Sequence, residues 1–154
     1  LLTGSGELEK VCGKWTPRST SIRKGQMTGS EKIFFDTTPF IYLIEDHTTY
    51  AGPVANYIAD QVSIYESQLF TSVLTLAEFS VKPNRNNKKE IIDQFKSKLE
   101  EYDFTVFDVT QGIAEYSADL RAKYLSLRLF DALQLSTAIS LGCNKFFTND
   151  HDLK

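Results

Sequence analysis

Residues 32–39 read Lys-Ile-Phe-Phe-Asp-Thr-Thr-Pro, and this stretch predicts a buried strand that ends at Asp36. A short apolar run bounded by polar residues is typical of a strand covered on both faces, as in a parallel sheet. Thr38 followed by Pro39 indicates a helix start, because a Thr hydroxyl can cap free N–H groups and Pro at the first helical position loses no hydrogen bond. The stretch therefore predicts a strand, a carboxylate at its carboxyl end and a helix.

The same alternation continues along the chain. The pattern predicts further strands at 69–73, 104–109 and 145–148, a first helix ending near 45, further helices at about 50–67, 88–102, 111–127 and 130–142, and a short helix carrying Glu78 before a turn at 83–87. Strands that alternate with helices form right-handed crossovers around a parallel sheet. We therefore expect an α/β fold, an α/β/α sandwich with a central, mostly parallel sheet.

The first thirty residues differ from the rest of the chain in composition. They are rich in Gly, Ser, Thr and Lys and show no apolar periodicity, and Met27 precedes the first apolar segment. Such a segment cannot bury enough apolar surface to fold. We therefore expect residues 1–30 to be a disordered or vector-derived tail, and residues 31–154 to form one domain.

Composition argues against several classes of protein. No stretch reaches the roughly 18 consecutive apolar residues of a membrane span, and the N-terminus lacks the basic-then-apolar order of a secretory signal. Cys12 and Cys143 have no C-x-x-C spacing, which makes a disulfide framework or a zinc site improbable. The net charge of −3 gives no support for nucleic-acid binding by overall electrostatics. We expect a cytoplasmic protein that does not contact a membrane.

Four acidic residues are predicted to meet at one edge of the sheet. Asp36 follows the first strand, Asp150 follows the fourth, and Glu78 and Asp131 lie on helices that start near the same edge. The carboxyl ends of parallel strands are where open α/β sheets bind ligands, and helix N-termini there favour negative charge. The chain is therefore expected to hold four carboxylates in one cleft.

Such a cleft calls for a cation. Carboxylates close together repel, and some would take up protons at neutral pH unless a counter-charge were bound. Oxygen ligands without His or Cys suit Mg²⁺ or Mn²⁺. These ions activate water and neutralise phosphoryl oxygens, so the pattern favours hydrolysis of a phosphodiester bond.

Each acid alone also has a structural interpretation. An Asp after a strand is more often a turn former or a helix cap than a metal ligand. Asp131 is the hardest to explain in this way, since it lies between Phe130 and Ala132 in an apolar segment, where a carboxylate needs partners.

Three segments resemble motifs of the PIN domain family, in particular the VapC-type toxin ribonucleases of toxin–antitoxin pairs. Residues 34–38 are similar to the opening strand that ends in Asp-Thr-Asn/Ser, and residues 72–78 to the segment Ser-x-x-Thr-x-x-Glu. Residues 131–138 and 147–153 are similar to the helix Asp-Ala-x-x-x-x-x-Ala and the closing Thr-x-Asp-x-Asp-Phe. Order and spacing agree over roughly 32–154.

The resemblance implies a site and an activity. The implied metal ligands are Asp36, Glu78, Asp131 and Asp150, supported by hydrogen bonds from Ser72 and Thr148, with Thr38 in place of the usual Asn or Ser and Asp152 as an auxiliary residue. The implied activity is that of a Mg²⁺- or Mn²⁺-dependent endoribonuclease acting on single-stranded or structured RNA. The family also implies a homodimer and a cognate antitoxin that blocks the site.

Two alternatives stay open. The chain could be a PIN-like binding module whose site has decayed, although all four acids are present. Phosphatases of the haloacid dehalogenase type also begin with an apolar strand ending in Asp, but they need a second Asp two positions on, where this chain has Thr38.

Overall fold

The computed structural model describes residues 30–148, together with the backbone of residues 9–11. The strands are β1 (Glu9–Val11), β2 (Lys32–Phe35), β3 (Gln68–Ser72), β4 (Thr105–Phe107) and β5 (Lys145–Phe147). The helices are α1 (Thr37–Ile44), α2 (Ala51–Ser63), α3 (Val73–Arg85), α4 (Lys89–Glu101), α5 (Gln111–Lys123) and α6 (Leu129–Ser140). No helix in this described part is both long and apolar enough to cross a membrane.

The strands form a single sheet in the order β1-β5-β2-β3-β4, and every pairing is parallel. β2 is the central strand, so that Ile33 pairs with Leu69 of β3 on one side and with Lys145 of β5 on the other. The predicted α/β class with a parallel central sheet is confirmed. The central position of β2 also explains why its sequence is apolar at successive residues.

Helices cover both faces of the sheet. On one face, Phe35 of β2 packs in a core that includes Phe40 of α1, Ile58 of α2 and Phe95 of α4. On the other face, Phe34 packs with Ala138 of α6, and its ring stacks on that of Phe146 at 5.3 Å between centroids. Successive side chains of β2 therefore anchor the two layers of helices on opposite sides, as the sandwich architecture requires.

Two predicted boundaries are wrong in detail. α1 begins at Thr37, so Pro39 is its third residue instead of its first; proline is tolerated there because the first four N–H groups of a helix have no partner within the helix. α3 is not short: it runs for 13 residues through Pro83 to Arg85, and the predicted turn at 83–87 starts later. Pro83 is buried, and this tertiary packing outweighs the tendency of proline to end a helix.

We expected residues 1–30 to lie outside the fold, but Glu9–Val11 form strand β1. Its backbone pairs with β5 in the register Glu9 to Lys145, Lys10 to Phe146 and Val11 to Phe147. β1 thus forms the edge of the sheet beside β5. The vector-derived origin of residues 1–30 stays a prediction.

Candidate metal centre

Asp36 lies directly after the central strand, at the carboxyl edge of the sheet. Its backbone N–H donates to the carbonyl oxygen of Phe147 at 3.0 Å, and its Oδ2 accepts a hydrogen bond from Thr148 Oγ1 at 2.8 Å. Both contacts come from the end of β5, because β2 and β5 are adjacent parallel strands. The position of the carboxylate is therefore fixed by two neighbouring strands.

The electrostatic environment of Asp36 disfavours its ionised form. Burial raises the pKa of this carboxyl, hydrogen bonds from the Thr37 backbone N–H and the Thr148 hydroxyl lower it, and the negative charges of Glu78 and Asp131 raise it; the net shift is upward. Glu78 and Asp131 are thus each near enough to Asp36 to disfavour its negative charge. A bound cation would remove the repulsion and the need for protonation.

Glu78 lies on α3 and is joined to the end of β2 by a side chain that the sequence analysis missed. The hydroxyl of Thr37, a buried residue, donates to Glu78 Oε2. Thr37 follows Asp36 directly, so the two acids are linked through neighbouring residues. The family resemblance implied a supporting role for Thr38 instead; Thr38 is half-buried, and its role stays a prediction.

Asp131 lies in the first turn of α6, where the helix dipole favours a negative charge. Its Oδ2 is 2.8 Å from Arg128 Nε, and the aspartate side chain is 18% exposed against 61% for the arginine. Arg128 was not predicted from the sequence. Its spacing of three residues from Asp131 at a helix start was the available signal.

Ser72 occupies the N-cap of α3 and joins it to α6. Its Oγ accepts from the backbone N–H of Leu74 at 3.2 Å and donates to Gln134 Oε1 at 2.6 Å. Gln134 Nε2 in turn donates to Thr75 Oγ1 at 2.9 Å. The resemblance suggested Ser72, whereas Gln134 and Thr75 were not identified, although an amide inside an apolar helical segment was a visible signal.

The donor set suits a hard divalent cation. Asp36, Glu78 and Asp131 offer only oxygen atoms, and a divalent ion would relieve the repulsion that Glu78 and Asp131 exert on Asp36. Across residues 30–148, however, no three Asp, Glu, His or Cys side chains are grouped closely enough to surround a metal ion. Asp150 and Asp152 lie outside the described residues, so their contribution stays a prediction.

A cavity of about 390 Å³ lies beside Glu78, between α1, α3 and α4. Its walls include the apolar side chains of Ile41, Phe79 and Ile91, and Lys82 and Lys88 also line it. Lys82 Nζ pairs with Oε1 of Glu45, another lining residue, at 2.6 Å. The cavity thus combines apolar walls with charged groups of both signs.

Comparison with known families gives one match over most of the chain. The family model of the PIN domain matches residues 33–154, which include every proposed ligand. No curated protein matches the chain in sequence.

Several solved structures share the fold. VapC20 of Mycobacterium tuberculosis, a toxin that cleaves the sarcin–ricin loop, has a TM-score of 0.63 and 18% identity, covering 78% of this chain and 91% of its own. VapBC2 of Rickettsia felis, bound to a DNA fragment from its promoter, has a TM-score of 0.56 and 21% identity, covering 77% and 88%. A toxin–antitoxin complex from Klebsiella pneumoniae has a TM-score of 0.55 and 24% identity, covering 79% and 89%.

Proposed function

Because this chain belongs to the PIN domain family, we propose that it is a metal-dependent endoribonuclease and the toxin of a toxin–antitoxin pair. One observation carries the catalytic part of the proposal: Asp36 lies at the end of the central strand, partly buried, with Glu78 and Asp131 near enough to raise its pKa. Proteins keep such carboxylates together chiefly where a cation or a proton resolves the conflict.

The proposed ligands of Mg²⁺ or Mn²⁺ are Asp36, Glu78, Asp131 and Asp150. When bound, such an ion supplies an activated water and neutralises phosphoryl oxygens. Thr148 and Thr37 hold the carboxylates of Asp36 and Glu78 in place through their hydroxyl groups. Arg128 supplies a positive charge beside Asp131, and a charge of this sign attracts a substrate phosphate.

The comparisons support the substrate and the partner as proposals. An RNA substrate is supported by the fold shared with a toxin that cleaves the sarcin–ricin loop. A protein antitoxin is supported by the similarity to toxin–antitoxin complexes. A homodimer is proposed from the family resemblance alone.

The cavity beside Glu78 also supports a nucleotide substrate. Its volume of about 390 Å³ lies within the usual range for small-molecule sites, and its apolar walls suit the face of a base. Lys88 lines the same cavity and carries a charge that suits a phosphate.

The decisive experiment is an RNA cleavage assay with the purified chain. We expect single-stranded RNA to be cut in Mn²⁺ or Mg²⁺ and left intact in EDTA, and Asp36→Asn to lower the rate at least about a hundredfold. Asp108→Asn is the matched control, because Asp108 also follows a strand, β4, directly but is exposed. The control should cut at the wild-type rate.

Two results would favour the alternatives. RNA binding without cleavage in either metal would indicate a binding module with a decayed site. Turnover of small phosphate monoesters through a phospho-aspartyl intermediate would indicate a phosphatase, for which Thr38 stands where the second catalytic Asp is needed.

A further inference from the structure

Gln134 is a buried polar residue whose amide is hydrogen-bonded at both ends. The residue is 1% exposed, and its two partners, Ser72 and Thr75, are fully buried. Ser72 Oγ donates to the amide oxygen at 2.6 Å, and the amide nitrogen donates to Thr75 Oγ1 at 2.9 Å. A buried amide that is hydrogen-bonded through both its oxygen and its nitrogen is held at two points, which makes it a rigid link.

This link lies one helical turn from two of the proposed ligands. Gln134 follows Asp131 by three residues on α6, and Thr75 precedes Glu78 by three residues on α3. Residues three apart are neighbours on one face of a helix. The amide therefore connects α6 and α3 beside Asp131 on the first helix and beside Glu78 on the second.

We propose that Gln134 is a positioning residue that fixes α6 against α3 and thereby sets the separation of Asp131 and Glu78 for a shared metal ion. This inference rests on the proposed function of the two acids as metal ligands. Gln134 itself contacts neither the metal nor the substrate. It acts through the placement of two helices, since a carboxylate that is displaced by a fraction of an ångström loses its coordination geometry.

The test is the affinity for Mn²⁺, measured by water-proton relaxation without RNA. Methionine has nearly the shape of glutamine but cannot make either hydrogen bond. We expect Gln134→Met to weaken Mn²⁺ binding about tenfold, the lower end of the effect of residues that orient metal ligands. In the cleavage assay the same variant should need more Mn²⁺ for half-maximal rate, with KM for RNA unchanged.

Gln61→Met is the matched control. Gln61 of α2 is also a buried glutamine, at 6% exposure, and its Oε1 accepts from Ser67 Oγ at 2.9 Å, a contact within the α2–β3 connection. Its replacement should lower the free energy of unfolding without changing Mn²⁺ affinity. Equal loss of affinity in both variants would show a general effect of stability and would overturn the proposal.

A second variant separates positioning from folding. Gln134→Met leaves Thr75 without its donor, and adding Thr75→Val removes that unsatisfied hydroxyl, which should restore much of the stability. We expect the double variant to fold, even where the single variant does not, and still to bind Mn²⁺ weakly. Wild-type affinity in the folded double variant, or in a folded Gln134→Met, would overturn the proposal.

The two proposals fail in different ways. If the wild type binds Mn²⁺ but cuts no RNA, the nuclease function fails, while the affinities still decide the role of Gln134. If the wild type cuts RNA and Gln134→Met binds Mn²⁺ as tightly as the wild type does, only the proposed role of Gln134 fails. A wild type that binds neither Mn²⁺ nor Mg²⁺ would overturn both.

Discussion

At the scale of single residues, Asp36 combines a fixed position with an unfavourable charge. Its burial and the charges of Glu78 and Asp131 raise its pKa. In the absence of metal, the ionised carboxylate therefore destabilises the fold, as expected of a residue kept for the proposed metal binding and not for stability.

We expect Asp36→Asn to stabilise the metal-free protein while abolishing cleavage. At pH 7 the gain in the free energy of unfolding should be about 1 kcal/mol, the usual size of a single stabilising substitution. Added Mn²⁺ should raise the melting temperature of the wild type but not that of the variant, because only a protein that binds the ion is stabilised by it. Thermal denaturation with and without Mn²⁺ measures both effects.

The pH dependence of this gain has a definite sign. Below the ordinary carboxyl pKa of 3.8, Asp36 is protonated in both the folded and the unfolded state and the variant gains nothing. As the pH rises through 3.8, the unfolded chain loses the proton first, so wild-type stability falls relative to the variant until the folded-state pKa is passed. If the stability advantage of Asp36→Asn shrank with rising pH, the raised pKa of Asp36 would be contradicted.

A second prediction concerns Thr148, whose hydroxyl lowers the pKa of Asp36. Thr148→Val removes this hydrogen bond, so the pKa of Asp36 should rise further. Since metal binding needs the ionised carboxylate, the acidic limb of Mn²⁺ binding should move to higher pH. Titration of Mn²⁺ affinity between pH 4 and 8, roughly the range of perturbed carboxyl groups, would detect the displacement.

Thr71→Val serves as the control for Thr148→Val. Thr71 is a buried threonine near the same edge, but its Oγ1 donates to the backbone oxygen of Phe35 at 2.9 Å instead of to a carboxylate. Loss of this hydrogen bond should lower the free energy of unfolding by about 1 kcal/mol and leave the pH dependence of Mn²⁺ affinity unchanged. A shift of similar size in both variants would mean that Thr148 acts through general stability.

The sequence predicted single residues well where the pattern was local, but not hydrogen-bond partners that lie far apart in the chain. Asp36 was identified because an apolar run ends there, which is a local pattern. The hydrogen bond from Thr37 to Glu78 spans 41 residues, and the one from Gln134 to Thr75 spans 59. Such partners are fixed by tertiary packing, so no local pattern could indicate them.

At the scale of elements, α4 supports both helices that flank the cavity beside Glu78. The ring of Phe95 lies 5.1 Å from that of Phe40 on α1 and 4.2 Å from that of Phe79 on α3. Phe40 follows Thr37 by three residues and Phe79 follows Glu78 directly. α4 therefore packs against both helices that carry Thr37 and Glu78, two residues of the candidate metal centre.

We expect Phe95→Ala to lower the free energy of unfolding by about 3–5 kcal/mol, because a fully buried aromatic ring is replaced by a cavity. Mn²⁺ affinity of the folded fraction should also fall, since α1 and α3 lose a shared contact. Leu125→Ala is the control, at 91% exposure, and should change neither quantity. Urea denaturation gives the first value and proton relaxation the second. An unchanged Mn²⁺ affinity would show that α4 acts on stability alone.

Elements were predicted well where the pattern was local and poorly where packing intervened. The alternation of apolar runs and helical spacing located β2 to β5 and their intervening helices. Pro83 was taken as part of a turn, yet α3 continues through it because the residue is buried. β1 was not predicted, since its pairing with β5 joins segments more than 130 residues apart.

At the scale of the whole molecule, β1 covers the edge of the strand that leads to Thr148. We expect removal of residues 1–26 to lower the free energy of unfolding by about 1 kcal/mol or more, through loss of the backbone hydrogen bonds to β5. The same deletion should loosen the contact between Asp36 and Thr148, and Mn²⁺ binding should therefore weaken. Denaturation of the two chains in parallel measures the difference.

Removal of residues 1–7 is the control, because it keeps Glu9–Val11. The chain without residues 1–7 should match the full chain in free energy of unfolding and in Mn²⁺ affinity. If the chain that begins at Met27 is as stable as the full chain, then β1 contributes nothing and the prediction of an N-terminal tail outside the fold stands.

The pairing of the central strand with β5 also determines when the candidate metal centre can form during translation. Asp36 is made early, but the hydroxyl that orients it belongs to a residue 112 positions later. A nascent chain on the ribosome, made at about 5–20 residues per second, lacks that contact until Thr148 has emerged. Under the proposed function, a short nascent peptide therefore lacks the hydroxyl that orients Asp36, and the site is completed only late in synthesis.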